Sequence, residues 1–290
     1  MANIDFITFL TRHSSAYAAF LRKTGEALKS NKHNILWKCV LSNKAKKIPE
    51  NYENINKVNF AVKNSSLRHG LTINSTLPKV SSDYVIISDV DVAMTYKNWD
   101  DEIVKILDGD YSCFGSENIV REREHLHFPN VPFFCFKKDI MKEIQLDFTP
   151  RMKNGDLERL IIKTKEEAEF YEKKIGEIVI FNSGSRLYKL FKESGLKGKS
   201  LSPVLIGSND IQLEFMSKKE KGDILKDNEI STRGLSEFHY NGNVFLTHVG
   251  RSHKRNFKIG YIKNWVERIQ KYVKKKYNIV LRNEPYGYKT

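Results

Sequence analysis

The chain has 290 residues, 40% hydrophobic and 29% charged, and 49 Lys and Arg against 35 Asp and Glu give a formal net charge of +14. These values are those of a globular protein with ample core. No apolar run approaches the roughly 20 residues that cross a bilayer, and MANIDFITFLTRHSS has no basic region followed by an apolar segment. Cytoplasmic residence is therefore expected, in the host cytoplasm if the chain is viral.

In chain order, IDFITFLT (4–11) has the pattern of a strand, and Ser14 or Ser15 can cap a helix through AYAAFLRKTGEALKS. ILWKCVLS (35–42) is a second predicted strand and VNFAV (58–62) a third. In RHGLTINSTLPKV, Leu71, Leu77 and Val80 suit a helix face that Pro78 kinks or ends early. YVIIS then opens YVIISDVDVAM (84–94) as a fully buried strand without polar alternation. Alternating strands and helices to this point predict a parallel sheet with helices on both faces.

Farther on, NWDDEIVKILD (98–108) reads as a capped helix, YSCFGSE (111–117) as a strand and VPFFCFKKDIMKEI (131–144) as a strand running into a helix. NIVREREHLHFPN (118–130) has no clean period and reads as a loop near the strand ends. KTKEEAEFYEKKIG suits an exposed helix, and EIVIFNSGSRLYKLFKESG a strand, a Gly turn and a helix from near Ser185. LSPVLIGSNDIQLEF gives a strand or loop before a polar helix start, and NVFLTHVG (243–250) the last strand. YIKNWVERIQKYVKKKY (261–277) places Ile262, Trp265, Val266, Ile269 and Val273 on one helical face, with lysines on the other. Cys39, Cys113 and Cys135 sit among apolar residues without metal-ligand spacing and read as core thiols.

Asp89 and Asp91 end the YVIIS strand, at the sheet edge where open α/β folds collect ligands. Carboxylates one residue apart along a strand point different ways, so they serve a hard cation if one ligates directly and the other acts through water or ligand. Solvation of a strand end, or capping of the next helix, would account for them equally well. From residue 251 onward twelve Lys or Arg stand against Glu267 and Glu284, so most of the net charge lies in this tail. Such a concentration attracts nucleic acid, an anionic membrane surface or phosphorylated ligands.

A strand ending in DxD after alternating strands and helices resembles the GT-A fold glycosyltransferases, family 2-like, and among them the phage-type enzymes that act on DNA bases. Asn74 in HGLTINSTLPKV, the turn IFNSGSRLY (180–188), GSNDIQLEF (207–215) and FLTHVGRSHKRNF (245–257) resemble, in the family's order, its later segments. The resemblance implies an α/β fold of GT-A type, with a mostly parallel sheet flanked by helices. Residues 1–95 would form a Rossmann-like nucleotide-sugar half, 96–258 an acceptor half, and 259–290 a basic helical extension.

It implies metal ligation by Asp89, Asp91 and His248, with Mn2+ favoured over Mg2+ by the imidazole. Nucleotide-sugar contacts would come from Thr8, Thr11, Arg12, Asn74, Asp89, Arg251 and Lys254, and acceptor contacts from Asn182, Ser183 and Gly184. Asp210 would be the base. Local capping explains Thr11, Asn74 and Asp210 as readily, and Asn209-Asp210 departs from the Glu-Asp common in inverting members. Absence of the QxxRW segment of processive synthases implies transfer of one sugar. The activity implied is metal-dependent transfer from a nucleotide-sugar, a UDP-sugar first, to a hydroxyl. Hydroxymethylated pyrimidines in DNA are the acceptor the basic tail favours. A surface or lipid-linked glycan, with helix 261–277 lying on an anionic membrane, is one alternative, and a non-catalytic DNA-binding module is another. No protein partner is identifiable.

Overall fold

The computed structural model describes residues 1–11, 14–42, 45, 47–60, 65–117, 128–150, 183–206, 235–249 and 259–281, with the backbone alone for 204–206, 235 and 259–264. Among the described residues ten strands join into one sheet. They are β1 (Asn3–Leu10), β2 (Asn34–Ser42), β3 (Glu53–Val58), β4 (Tyr84–Ser88) and β5 (Val92–Met94). After them come β6 (Cys113–Glu117), β7 (Pro129–Lys137), β8 (Gly198–Ile206), β9 (Leu235–Tyr240) and β10 (Asn243–His248). Their order across the sheet is β3-β2-β1-β4-β7-β6-β8-β9-β10-β5. The expected parallel pairing holds for β3-β2-β1-β4 and recurs at β6-β8, while the other pairs are antiparallel.

Six α-helices cover this sheet among the described residues: α1 (Ser15–Leu28), α2 (Ser65–Thr76), α3 (Trp99–Asp108), α4 (Ile140–Glu143), α5 (Leu187–Glu193) and α6 (Ile259–Tyr277). Alternation along β1 divides the core. Ile4, Phe6 and Leu10 belong to one cluster with α1, α3 and α6, and Ile7 to a second with α2, α4 and α5. In the first, the Phe6 ring lies 4.4 Å from that of Trp37 and 5.8 Å from that of Trp99. A buried side chain of this size contributes roughly 1.5–3 kcal/mol. An α/β architecture with helices on both faces is thus what the periodicity predicted, over a sheet that is mixed rather than parallel throughout.

Four local expectations are corrected. The third strand is ENINKV rather than VNFAV. It is a half-exposed edge strand held by backbone pairing to β2, so it carries no apolar signature. Asn98 precedes α3 in a left-handed conformation (φ 58°) without a side-chain cap bond. Buried Asp100 in the first turn instead accepts from the Ser30 amide at 2.6 Å and the Ser30 hydroxyl at 2.7 Å. Ser14 precedes α1, but its Oγ accepts from the Thr11 amide at 2.7 Å rather than capping the helix. The fourth concerns α6, whose apolar face is covered by the protein itself. Trp265, Val266, Ile269 and Val273 are buried in the first cluster, and Trp265 meets Tyr17 and Phe20 of α1. That face is not available to a membrane. Of the predicted loop at 118–130, Pro129 and Asn130 already belong to β7, while 118–127, the exposed helix within 163–176 and the strand before residue 183 lie outside the described residues.

Candidate metal centre

β4 is a central strand whose five residues are all buried, and it ends at Ser88. Three residues, 89–91, then lead into β5 at the far end of the sheet order. Four residue steps of backbone span at most about 15 Å. The sheet must therefore curl until β5 returns beside the end of β4, with Phe133, Phe114 and Tyr240 packed around Phe245. β10 pairs with β5 so that His248 stands opposite Val92, and the Val249 amide donates to the Asp91 carbonyl at 2.9 Å. At the other side of the turn the Asp89 amide donates to the Pro132 carbonyl at 2.8 Å. Strand pairing alone thus brings His248 to residues more than 150 positions earlier in the chain.

The turn changes the expected directions of the two carboxylates. Along an extended strand they would diverge, but outside β4 and β5 they converge on one imidazole. His248 Nε2 lies 3.3 Å from Asp91 Oδ1 and 3.8 Å from Asp89 Oδ2. One donor atom from each of the three residues lies within 4.8 Å of the others. Asp91 is buried, while Asp89 and His248 are partly exposed. Two carboxylates brought this close repel each other, and a cation between them offsets that cost. Two oxygen donors and one imidazole nitrogen suit Mn2+, a borderline-hard ion that accepts both. The residues present therefore fit a divalent cation.

His69, to which the sequence pattern assigned no role, is also here. It projects from α2, and its Nε2 lies 3.5 Å from Asp89 Oδ1, the oxygen turned away from His248. Its ring meets Phe9 edge to face at 5.1 Å. A polar ring in the helix directly upstream of an acidic strand end was the available sign.

The other expected residues divide. Thr8 is fully buried on β1, level with Ser88 of β4, and its hydroxyl has no hydrogen-bond partner among the described residues. Thr11 is tied to Ser14 through its own amide and carbonyl. Asn74, expected against the nucleotide, has both ends of its amide engaged elsewhere. It donates to Asp147 Oδ1 at 2.7 Å and accepts from the Phe148 amide at 2.9 Å. Asp147 also accepts from Arg186 at 2.7 Å, in a buried ion pair. The Ser183 hydroxyl donates to the Ser66 carbonyl at 2.8 Å. Gly184 takes a positive φ of 79°, and its amide donates to the Phe148 carbonyl at 2.7 Å. Asn74, Ser183 and Gly184 thus bind α2, residues 147–149 and the turn before α5 into one unit. Arg12, Asn182, Asp210, Arg251 and Lys254 lie outside the described residues.

Cys39, Cys113 and Cys135 are buried free thiols, as expected, and burial raises the pKa of each, that of Cys39 to about 11. No described helix is long and apolar enough to cross a membrane.

No family model matches the sequence, and no curated protein matches it. Solved structures resemble it in shape. One is a mannosyltransferase from Pyrobaculum calidifontis in complex with GDP-Man and Mn2+, at 12% identity and a TM-score of 0.38, over 53% of this chain and 49% of that one. The present chain thus spans about half the length of that protein. A galactosyltransferase LgtC in complex with donor and acceptor sugar analogues aligns at 13% identity and a TM-score of 0.45, over 93% of this chain and 95% of that one. A mutant Drosophila beta-1,4-galactosyltransferase 7 with manganese, UDP-Gal and xylobiose aligns at 11% identity and a TM-score of 0.38, over 69% and 65%. Similarity at this level carries no argument for activity, which has to be read from the site.

Proposed function

We propose that the protein is a metal-dependent glycosyltransferase of GT-A type, moving one sugar from a nucleotide-sugar to a hydroxyl acceptor. The convergence of Asp89, Asp91 and His248 at the carboxyl end of β4 carries this reading. Asp89, Asp91 and His248 would hold a divalent cation, which when bound offsets the negative charge developing on the leaving diphosphate. Arg251 and Lys254, which follow β10 in sequence, would neutralise phosphate. Thr11 and Arg12, which follow β1 in sequence, would read the nucleotide, whereas Thr8 is fully buried within β1 and has no surface to offer it. In the transfer the anomeric carbon–phosphate oxygen bond breaks and the acceptor oxygen bonds that carbon, while Asp210 takes the hydroxyl proton. A UDP-sugar is the first donor to test. Mn2+-dependent release of UDP from UDP-sugars, abolished in Asp91→Ala, is the expected result. Release that ignores both metal and Asp91 would sink the proposal, and no release from any nucleotide-sugar would leave room for a non-catalytic DNA-binding protein.

For the acceptor we favour hydroxymethylated pyrimidine in DNA. With the apolar face of α6 held in the core, exposed Lys271, Lys274 and Lys275 point to solvent and are free to meet a polyanion. The target base would have to leave the stack to reach the site. Incubation of hydroxymethylated duplex with UDP-sugars should add one hexose mass per modified base. Sugar transfer to a lipid-linked glycan and never to DNA would overturn this acceptor while leaving the transferase reading intact.

A further inference from the structure

We infer that His69 is a positioning residue of the metal centre, holding the Asp89 carboxylate in the orientation that presents one oxygen to the cation. The inference rests on the metal reading above. Asp89 lies between two imidazoles that address different oxygens: Oδ1 faces His69 Nε2 at 3.5 Å, and Oδ2 faces His248 Nε2 at 3.8 Å. His69 stands outside the group of three whose donor atoms gather within 4.8 Å, so its place is behind Asp89 rather than among the ligands. A carboxylate at the surface end of a strand turns about its terminal torsion, which is broad and roughly two-fold. An imidazole edge 3.5 Å from Oδ1 favours one of those orientations, with Oδ2 on the side of His248. Partners behind a metal ligand act in this way, and their removal typically costs 10–100-fold in metal affinity.

The setting of His69 is built for constancy. Phe9, at the end of β1, presents its ring edge to face with the imidazole at 5.1 Å, limiting rotation of the ring. The next residue, Gly70, packs its bare backbone on Phe148, where a side-chain carbon would collide with the Phe148 carbonyl. One turn later Asn74 bonds Asp147 and the Phe148 amide. Both contacts fix the rotation and register of α2, and so set where His69 points. The interaction needs only hydrogen on Nε2, not a charged ring.

Titration with Mn2+ alone, following the electron paramagnetic resonance signal of the free ion, tests this in the full chain. His69→Ala should weaken Mn2+ binding by about tenfold or more with the unfolding midpoint little changed. His69→Gln, whose amide can donate from a similar position, should recover most of the loss, and His69→Leu, which fills similar space without a donor, should not. Phe9→Leu should weaken binding by a smaller factor. Wild-type affinity in His69→Ala, together with loss of binding in Asp91→Ala, overturns this inference and leaves the metal centre standing. Absence of Mn2+ binding in the wild type, or full binding in Asp91→Ala, overturns the centre and the role of His69 together. If His69→Ala fails to fold, His69→Leu takes its place in the titration, and wild-type affinity in that folded chain overturns the inference.

Discussion

The central strands β1 and β4 have acidic side chains toward both ends of the sheet, and the two ends treat them in opposite ways. Toward the amino-terminal end Asp5 is fully buried and saturated with donors. Lys38 Nζ lies 2.8 Å from Oδ1, the Ser82 hydroxyl donates to Oδ1 at 2.6 Å, and the amides of Ser81 and Ser82 donate to Oδ2 at 2.8 and 3.3 Å. Burial raises the carboxyl pKa, but the Lys38 contact and the bonds from Ser82 and Ser81 outweigh it and hold the group below its ordinary value. At the carboxyl-terminal end Asp89 and Asp91 share one space with an imidazole, and a second imidazole stands behind Asp89. A carboxylate enclosed by a lysine and three further donors fastens strands together. Two carboxylates drawn toward one point leave a place for a cation from outside.

The largest expected effect breaks the comparison at the cation end. Asp91→Ala should lower Mn2+-dependent turnover on the order of a thousandfold, with the thermal midpoint within a few degrees of wild type, since the residue carries charge stabilisation rather than core packing. Equal losses of turnover and stability would instead make Asp91 a counterpart of Asp5. At the other end Lys38→Met should leave Asp5 buried without its cation and cost about 3–5 kcal/mol in urea unfolding. Asp5→Leu combined with Lys38→Met should regain much of it, and a single variant as stable as wild type would show that the pair fastens nothing.

Asp210→Asn keeps the side chain's shape while removing the proposed proton acceptor. It should lower kcat about a hundredfold with donor affinity little changed. A product that keeps the donor's anomeric configuration would remove the role of Asp210 in a single displacement. The acid limb of stability gives a smaller effect. Because the folded pKa of Asp5 lies below its unfolded value of about 3.9, its contribution is complete above that value and is lost as pH falls through the folded pKa. Urea unfolding between pH 5 and pH 2 should show this slope in the wild type and a shallower one in Asp5→Asn. The smallest effect concerns the tail: changing Lys271, Lys274 and Lys275 together to Gln should flatten the salt dependence of duplex DNA binding by up to about 0.9 for each phosphate no longer neutralised. Lys276 is left in place because it bonds Asn243 at 2.7 Å and Tyr272 at 2.8 Å. An unchanged slope would move any DNA-binding surface away from this helix.

Strand–helix alternation to β4, the apolar stripe of α6 and the acidic end of β4 were legible because burial wrote them into the residue pattern. The edge strand β3 was not, since its partner is backbone and its side chains stay half-exposed. β9 was missed although the sequence marks it. Asn241 and Gly242 take positive φ of 48° and 71°, the left-handed pair that closes a two-residue hairpin into β10, and Asn-Gly is its usual sequence. The three-residue β5 is too short for any period to register. At the site, Asp89, Asp91 and His248 could be named from the order of motifs, but their convergence depends on a turn that no strand pattern foretells. His69 lay hidden because its significance comes from Asp89, twenty residues later, and from α2 packing against residues 147–149 rather than from its own neighbours in sequence.

Calorimetric titration of UDP into the protein, with and without Mn2+, in wild type and in Asp91→Ala, bears most directly on the cation end. Binding in the wild type should require Mn2+ and disappear in Asp91→Ala, because a cation held by Asp89, Asp91 and His248 would offset the charge of the diphosphate. UDP binding of the same strength without Mn2+, or undiminished in Asp91→Ala, would contradict the assignment of Asp89, Asp91 and His248 as the metal centre of a nucleotide-sugar enzyme.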